Sequence, residues 1–109
     1  MSKYKDTIYA LSTPTGRSAI AVIRISGDQS LNTLKKISSI KTIIPNKTKL
    51  TLLKFEKQII DQVLVVFFKK PHSFTGEEMV EINCHGSIAI ITKISQMLEV
   101  LGIRLAEPG

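Results

Sequence analysis

Glu81, Asn83 and His85 stand at alternate positions of the stretch Met79-Val80-Glu81-Ile82-Asn83-Cys84-His85-Gly86. Successive side chains of an extended chain point to opposite faces. A carboxylate and an amide therefore share one face with Met79, while Val80, Ile82 and Cys84 share the other. The polar face ends at His85-Gly86, an imidazole followed by a residue whose missing side chain lets other groups approach the backbone. A carboxylate accepts paired hydrogen bonds, an amide both donates and accepts, and an imidazole does either according to its tautomer. Delivered to the mouth of a following helix, such a set suits the wall of a ligand pocket. It equally suits the solvated face of an antiparallel sheet, with His85 as a turn or capping residue, and the pattern alone leaves both readings open.

Arg24 is the second candidate. It interrupts the apolar, β-branched run Ala19–Ile25, which follows the Pro- and Gly-punctuated loop Ser12-Thr13-Pro14-Thr15-Gly16-Arg17-Ser18. A guanidinium inside an apolar strand needs a carboxylate, a backbone carbonyl or a ligand anion, unless it escapes to water at the strand end. Cys84 falls on the apolar face of its strand and reads as a small buried hydrophobe rather than a nucleophile.

The elements that must position these groups follow from periodicity. Thr7–Leu11 and Ala19–Ile25 read as strands. Ser26-Gly27-Asp28 starts a helix with Asp28 as its cap and Leu31, Leu34 and Ile37 at helical spacing. A linker over Ile40–Asn46 leads to strands Lys49–Phe55 and Ile59–Phe68 around the turn Glu56-Lys57-Gln58, most simply a hairpin. Asp61 and Gln62 lie in its second arm, where they either face water at a bulge or edge the ligand site. After the Met79–Cys84 strand, Ser87–Val100 reads as a helix burying Ile88, Ile91, Ile94, Leu98 and Leu101. Gly102 stops it before a last strand, Ile103–Ala106. This order implies an α+β fold, a mixed and mostly antiparallel sheet with two helices packed on one face. Two helices cover little, so part of the sheet or a helix flank is expected to be an interface.

With 109 residues the chain is a single domain, 1–109. No stretch is long and uncharged enough to span a bilayer, Met-Ser-Lys is no secretory signal, and one cysteine cannot form an internal disulfide, which suits a cytoplasmic protein. The formal net charge of +6 favours polyanions in general, yet the lysines are spread out, without an arginine-rich stripe or aromatic interleaving. There is no GxxxxGK[ST] phosphate-binding loop, and two separated histidines with one cysteine make no plausible metal site.

The strings TPTGRSAIAVIRISG, PHSFTGEEMVEINCHGS and GIRLAEPG, in this order and at this spacing, resemble the N-terminal domain of the MnmE/TrmE family of tRNA-modification GTPases. The resemblance runs from Asp6 to Gly109 and implies a domain-sized piece of a longer protein whose helical and GTPase domains lie beyond this chain. It implies a fold like that of folate-binding aminomethyltransferases, homodimerisation, and binding of a reduced folate, 5-formyltetrahydrofolate or 5,10-methylenetetrahydrofolate. That folate would be the one-carbon donor for C5 of the wobble uridine of tRNA. It further implies a flavoprotein partner, MnmG/GidA, with GTP, magnesium and potassium confined to the GTPase domain, and no catalysis by this domain alone.

Carried onto this sequence, the cofactor-binding residues are Arg24, Glu81, Asn83, His85, Gly86, Gly16 and Thr13. Glu81 would accept the donor edge of the pterin, and Arg24 would orient that carboxylate or meet a ligand carbonyl. The backbones of Thr13–Gly16 and His85-Gly86 would close over the ring. No catalytic residue and no metal ligand is expected. The alternatives are a domain that serves mainly as a dimerisation or interaction module, and a tRNA-binding domain without a functional folate pocket.

Overall fold

The computed structural model describes residues 6–12, 19–70 and 76–107. The chain runs β1 (Ile8–Leu11), β2 (Ile20–Ser26), α1 (Ser30–Ile37), β3 (Lys49–Phe55), β4 (Gln58–Phe68), β5 (Met79–His85), α2 (Ile88–Val100) and β6 (Arg104–Leu105). The strands form one six-stranded sheet in the order β3-β4-β5-β2-β1-β6. All neighbours are antiparallel except β1 and β6, so the sheet is mixed, as expected of the α+β fold.

Register explains the layering. Ile23 pairs with Ile82 and Ala21 with Cys84 across β2 and β5, and Ile82 also pairs with Val65 of β4. These side chains share one face. Together with Tyr9, Leu53, Val63 and Phe67 they pack against Leu34 and Ile37 of α1 and Ile94, Met97 and Leu98 of α2 in a single core. Both helices thus lie on the same side of the sheet. The tyrosine hydroxyl, which cannot be left bare in a core, donates to Glu99 Oε2 at 2.5 Å and ties β1 to α2.

Four local expectations are corrected. Asp28 does not cap α1: the cap position is Gln29, without a side-chain cap bond, and the Gln29 amide donates to Thr7 Oγ1 at 3.0 Å. Here a tertiary contact from Thr7, the residue just before β1, does what a capping side chain would do. The hairpin turn is shorter than predicted, with Phe55 paired to Gln58 and both Glu56 (φ 52°) and Lys57 (φ 68°) in the left-handed region. That is the two-residue type I′ geometry, here formed without glycine. On α2, Ile88 is 83% exposed and Met97 takes its place in the core, because the helix meets the sheet along its second half. Ser87 is the cap of α2 rather than its first residue, accepting from the Ile90 amide at 3.4 Å.

Gly27 is required where β2 turns into α1. Its φ is +133°, and a Cβ there would lie 2.7 Å from the Thr7 Cα.

Candidate functional site

The face of the sheet away from the helices carries the even-numbered residues of β2 and the odd-numbered residues of β5. Arg24 and Glu81 are directly opposed on these two adjacent strands. Arg24 Nε donates to Glu81 Oε2 at 2.9 Å, and Arg24 Nη1 donates to Ser12 Oγ at 2.7 Å. The side chains are 32% and 20% exposed, so the pair is partly desolvated but open to an incoming group. Of the partners the sequence left open for Arg24, a carboxylate, a backbone carbonyl, a ligand anion or water, the structure supplies a carboxylate, that of Glu81. A cross-strand pair lets each group hold the other in one orientation.

Asn83 lies two residues along the same face, and its Nδ2 donates to the Leu64 carbonyl at 3.3 Å on the neighbouring strand. His85 closes β5. Its backbone amide donates to Asp61 Oδ2 at 2.8 Å, and its Nδ1 lies 2.8 Å from Asp61 Oδ1, which also accepts from the Gln62 amide at 2.9 Å. The Asp61 carboxylate thus continues the β4–β5 ladder beyond its last backbone pairing at Leu64 and Asn83. Of the two residues in the second arm, Gln62 is exposed, whereas the Asp61 side chain is 7% exposed and bound to His85. Ser12 is the Arg24 partner that the sequence reading did not name, whereas Asp61 was already one of two residues left open as edging the site.

Gly86 donates its amide to the Ala19 carbonyl at 3.1 Å, joining the end of β5 to the start of β2. Thr13 and Gly16, the other two predicted ligand residues, lie outside the described residues, as do Ser73–Thr75 of the PHSFTGEEMVEINCHGS string. Glu77 accepts from Ser26 Oγ at 3.0 Å and the Glu78 carbonyl accepts from the Gly27 amide at 2.8 Å, so both serve the entry into β5.

A cleft of about 270 Å³ opens beside these groups, lined by Ile20, Leu50, Gln62, Val63, Leu64, Asn83, Cys84 and His85. A wider one of about 580 Å³ runs along the edge strand β3 past Lys41, Lys49 and Gln62, but it includes none of the predicted ligand residues. Convergent side chains, rather than volume, therefore locate the site. Cys84 sits under the smaller cleft with 3% exposure. Burial, with a smaller contribution from the negative charge of Asp61, pushes its thiol up to about 11, so it is held as an inert thiol, as its place on the apolar face predicted. Among the described residues no group of three or more potential ligands could hold a metal ion, and no helix is long and apolar enough to cross a membrane.

A mixed sheet with two helices on one face and a partly exposed Arg–Glu pair on the other defines an α+β domain. The chain belongs to the family described as GTP-binding protein TrmE N-terminus, which matches residues 7–109. It is 44% identical over 108 residues to the tRNA modification GTPase MnmE of Sulfurovum sp. (strain NBC37-1), covering 98% of this chain and 24% of that protein. It is 48% identical over 111 residues to the tRNA modification GTPase MnmE of Fervidobacterium nodosum, covering 96% of this chain and again 24% of the relative. The protein of the same name from Anaplasma phagocytophilum is 44% identical over 110 residues and covered to the same 24%. The chain therefore spans about a quarter of the length of these relatives.

Proposed function

We propose that this domain binds a reduced folate, 5-formyltetrahydrofolate or 5,10-methylenetetrahydrofolate, and dimerises as the N-terminal part of a cytoplasmic tRNA-modifying GTPase. The observation that carries this reading is the Arg24–Glu81 pair, half-buried on the sheet face that no helix covers. The donor set suits the ligand. Glu81 offers acceptor lone pairs to the amide and amino edge of a pterin, and Arg24 holds that carboxylate and presents donors to a ring carbonyl. Asn83 and the backbone of Gly86 lie farther along the same strand. When bound, the folate supplies the one-carbon unit for C5 of the wobble uridine. The residues of this chain bind and orient it.

Dimerisation is supported by the same face, where Ile20 (59% exposed), Leu50 (58%) and Leu64 (44%) stand uncovered around the cleft. GTP, magnesium and potassium chemistry, tRNA and the flavoprotein partner MnmG/GidA belong to the full-length protein, and the isolated domain is expected to turn over neither GTP nor tRNA.

Calorimetric titration of the domain with 5-formyltetrahydrofolate is the direct test. Glu81→Gln places a donor against a ligand donor, and affinity is expected to fall by about thirty-fold or more, the equivalent of roughly 2–4 kcal/mol. Unchanged affinity in Glu81→Gln, or no heat of binding in the parent, refutes the folate site.

A further inference from the structure

Asp61 is a buried acid that the Arg24–Glu81 pair does not use, and its geometry dictates the state of His85. An ionised carboxylate can only accept hydrogen bonds. Asp61 already accepts from two backbone amides, those of Gln62 and His85, so the contact of 2.8 Å between its Oδ1 and His85 Nδ1 requires the proton to sit on Nδ1. In a neutral imidazole the second nitrogen then carries a lone pair, and which nitrogen is which follows from the partner of the first.

The other end of the ring is open. The His85 side chain is 66% exposed, it forms part of the wall of the 270 Å³ cleft, and among the described residues Nε2 has no partner. Around it the cleft wall is mainly apolar, with Ile20, Leu50, Val63 and Leu64, and its other polar side chains are Gln62 and Asn83, of which Asn83 already donates to the Leu64 carbonyl. Glu81 and His85 are separated by four residues of one extended strand, roughly 13 Å.

We propose that Asp61 is a positioning residue that locks His85 into the Nδ1–H tautomer, and that His85 Nε2 acts as a hydrogen-bond acceptor reading an N–H or O–H donor on the part of the ligand remote from Glu81. This rests on the folate reading for the identity of the ligand. In a folate the donor of that kind is the amide N–H that joins the aryl ring to the glutamate. The arrangement makes the site selective: a ligand with an acceptor at that point meets a lone pair and is disfavoured, whereas a freely rotating imidazole would accommodate either.

The test is ¹⁵N NMR of the histidine ring at a pH where it is neutral, with 5-formyltetrahydrofolate as the probe. The parent should show the Nδ1–H tautomer at His85. Asp61→Asn can turn its amide N–H toward the ring and should convert it to the Nε2–H tautomer. A parent in the Nε2–H form overturns the proposal without needing any variant to fold. With ligand, the His85 Nε2 resonance should move, and affinity should fall about tenfold in Asp61→Asn and in His85→Phe, which keeps a ring at an exposed position. Tight binding that leaves the Nε2 resonance and the His85→Phe affinity unchanged overturns the ligand contact while leaving the folate site standing. Absence of binding in the parent overturns the folate reading and the ligand contact together, and the tautomer result still decides the role of Asp61.

Discussion

The two faces of the sheet are built from the same strands yet are held by different physics. On the helix-covered face Ile23, Ile82 and Val65 meet in register and are at most 1% exposed, so their contribution is area removed from water and close packing. On the open face the residues between them, Arg24 and Glu81, are held by hydrogen bonds and charge, and Leu50 and Leu64 remain exposed. One face is built mainly from buried apolar side chains; the other sets a charged pair beside exposed apolar surface. A one-residue shift in any strand would exchange them, which is why the core face specifies the position of the site as well as the fold.

The contrast can be broken most strongly in the core. Ile82→Ala should cost about 4 kcal/mol in urea unfolding, since a fully buried side chain between two strands leaves a cavity that the neighbours cannot fill. Leu64→Asp, on the other face of the same sheet, should change the stability of the monomer by less than about 1 kcal/mol. It should instead convert the proposed dimer to monomer in light scattering at micromolar concentration. A large loss of monomer stability, or an unaltered mass, would erase the distinction between the faces.

Alkaline pH probes the buried side with a smaller expected effect. The Cys84 thiol titrates at about 11 in the folded chain against an ordinary value of 9.0, so between those values the folded state keeps a proton that the unfolded chain has released. Stability is therefore undiminished below about pH 9 and falls as pH rises toward 11, by up to roughly 2–3 kcal/mol. Burial and the Glu99 bond shift the Tyr9 hydroxyl in the same direction, so Cys84→Ala should remove only part of the fall. Cys84→Ala should also lower stability at neutral pH with little direct effect on ligand binding. A thiol that reacts readily with an alkylating agent in the folded protein at pH 8 would contradict the burial argument.

The smallest effect is expected for Arg24→Lys. It keeps the charge but loses the fork that joins Glu81 to Ser12, and the expected loss is about tenfold in folate affinity with less than about 1 kcal/mol in stability, because the pair is partly exposed. An affinity equal to the parent's would mean that Arg24 acts only as a point charge.

Alternation and helical spacing already mark the strands, both helices and the division of β5 into an apolar and a polar face, because burial imposes its period directly on residue type. The need of Arg24 for a partner is legible for the same reason, since an apolar strand cannot hold a bare guanidinium. Local chemistry is a weaker guide where a distant segment competes. Asp28 has the type of a cap, but Thr7 supplies the bond that receives the Gln29 amide. Ile88 has the type of a core residue, but α2 docks through Ile94, Met97 and Leu98. Glu56-Lys57 lacks the residues that usually announce a type I′ turn, and the pairing of the long flanking strands sets it regardless.

What the sequence determined by itself is therefore the set of elements, the identity of the core face and the residue types available on the other. The tertiary structure alone decided which of those residues meet. Arg24 is opposite Glu81 because of a register set 57 residues apart, and Asp61 reaches His85 because β4 runs beside β5 with its carboxylate standing in for a missing ladder bond. Periodicity is a local property that burial writes along the chain. Pairing of polar groups depends on strand register and order, which no single segment contains.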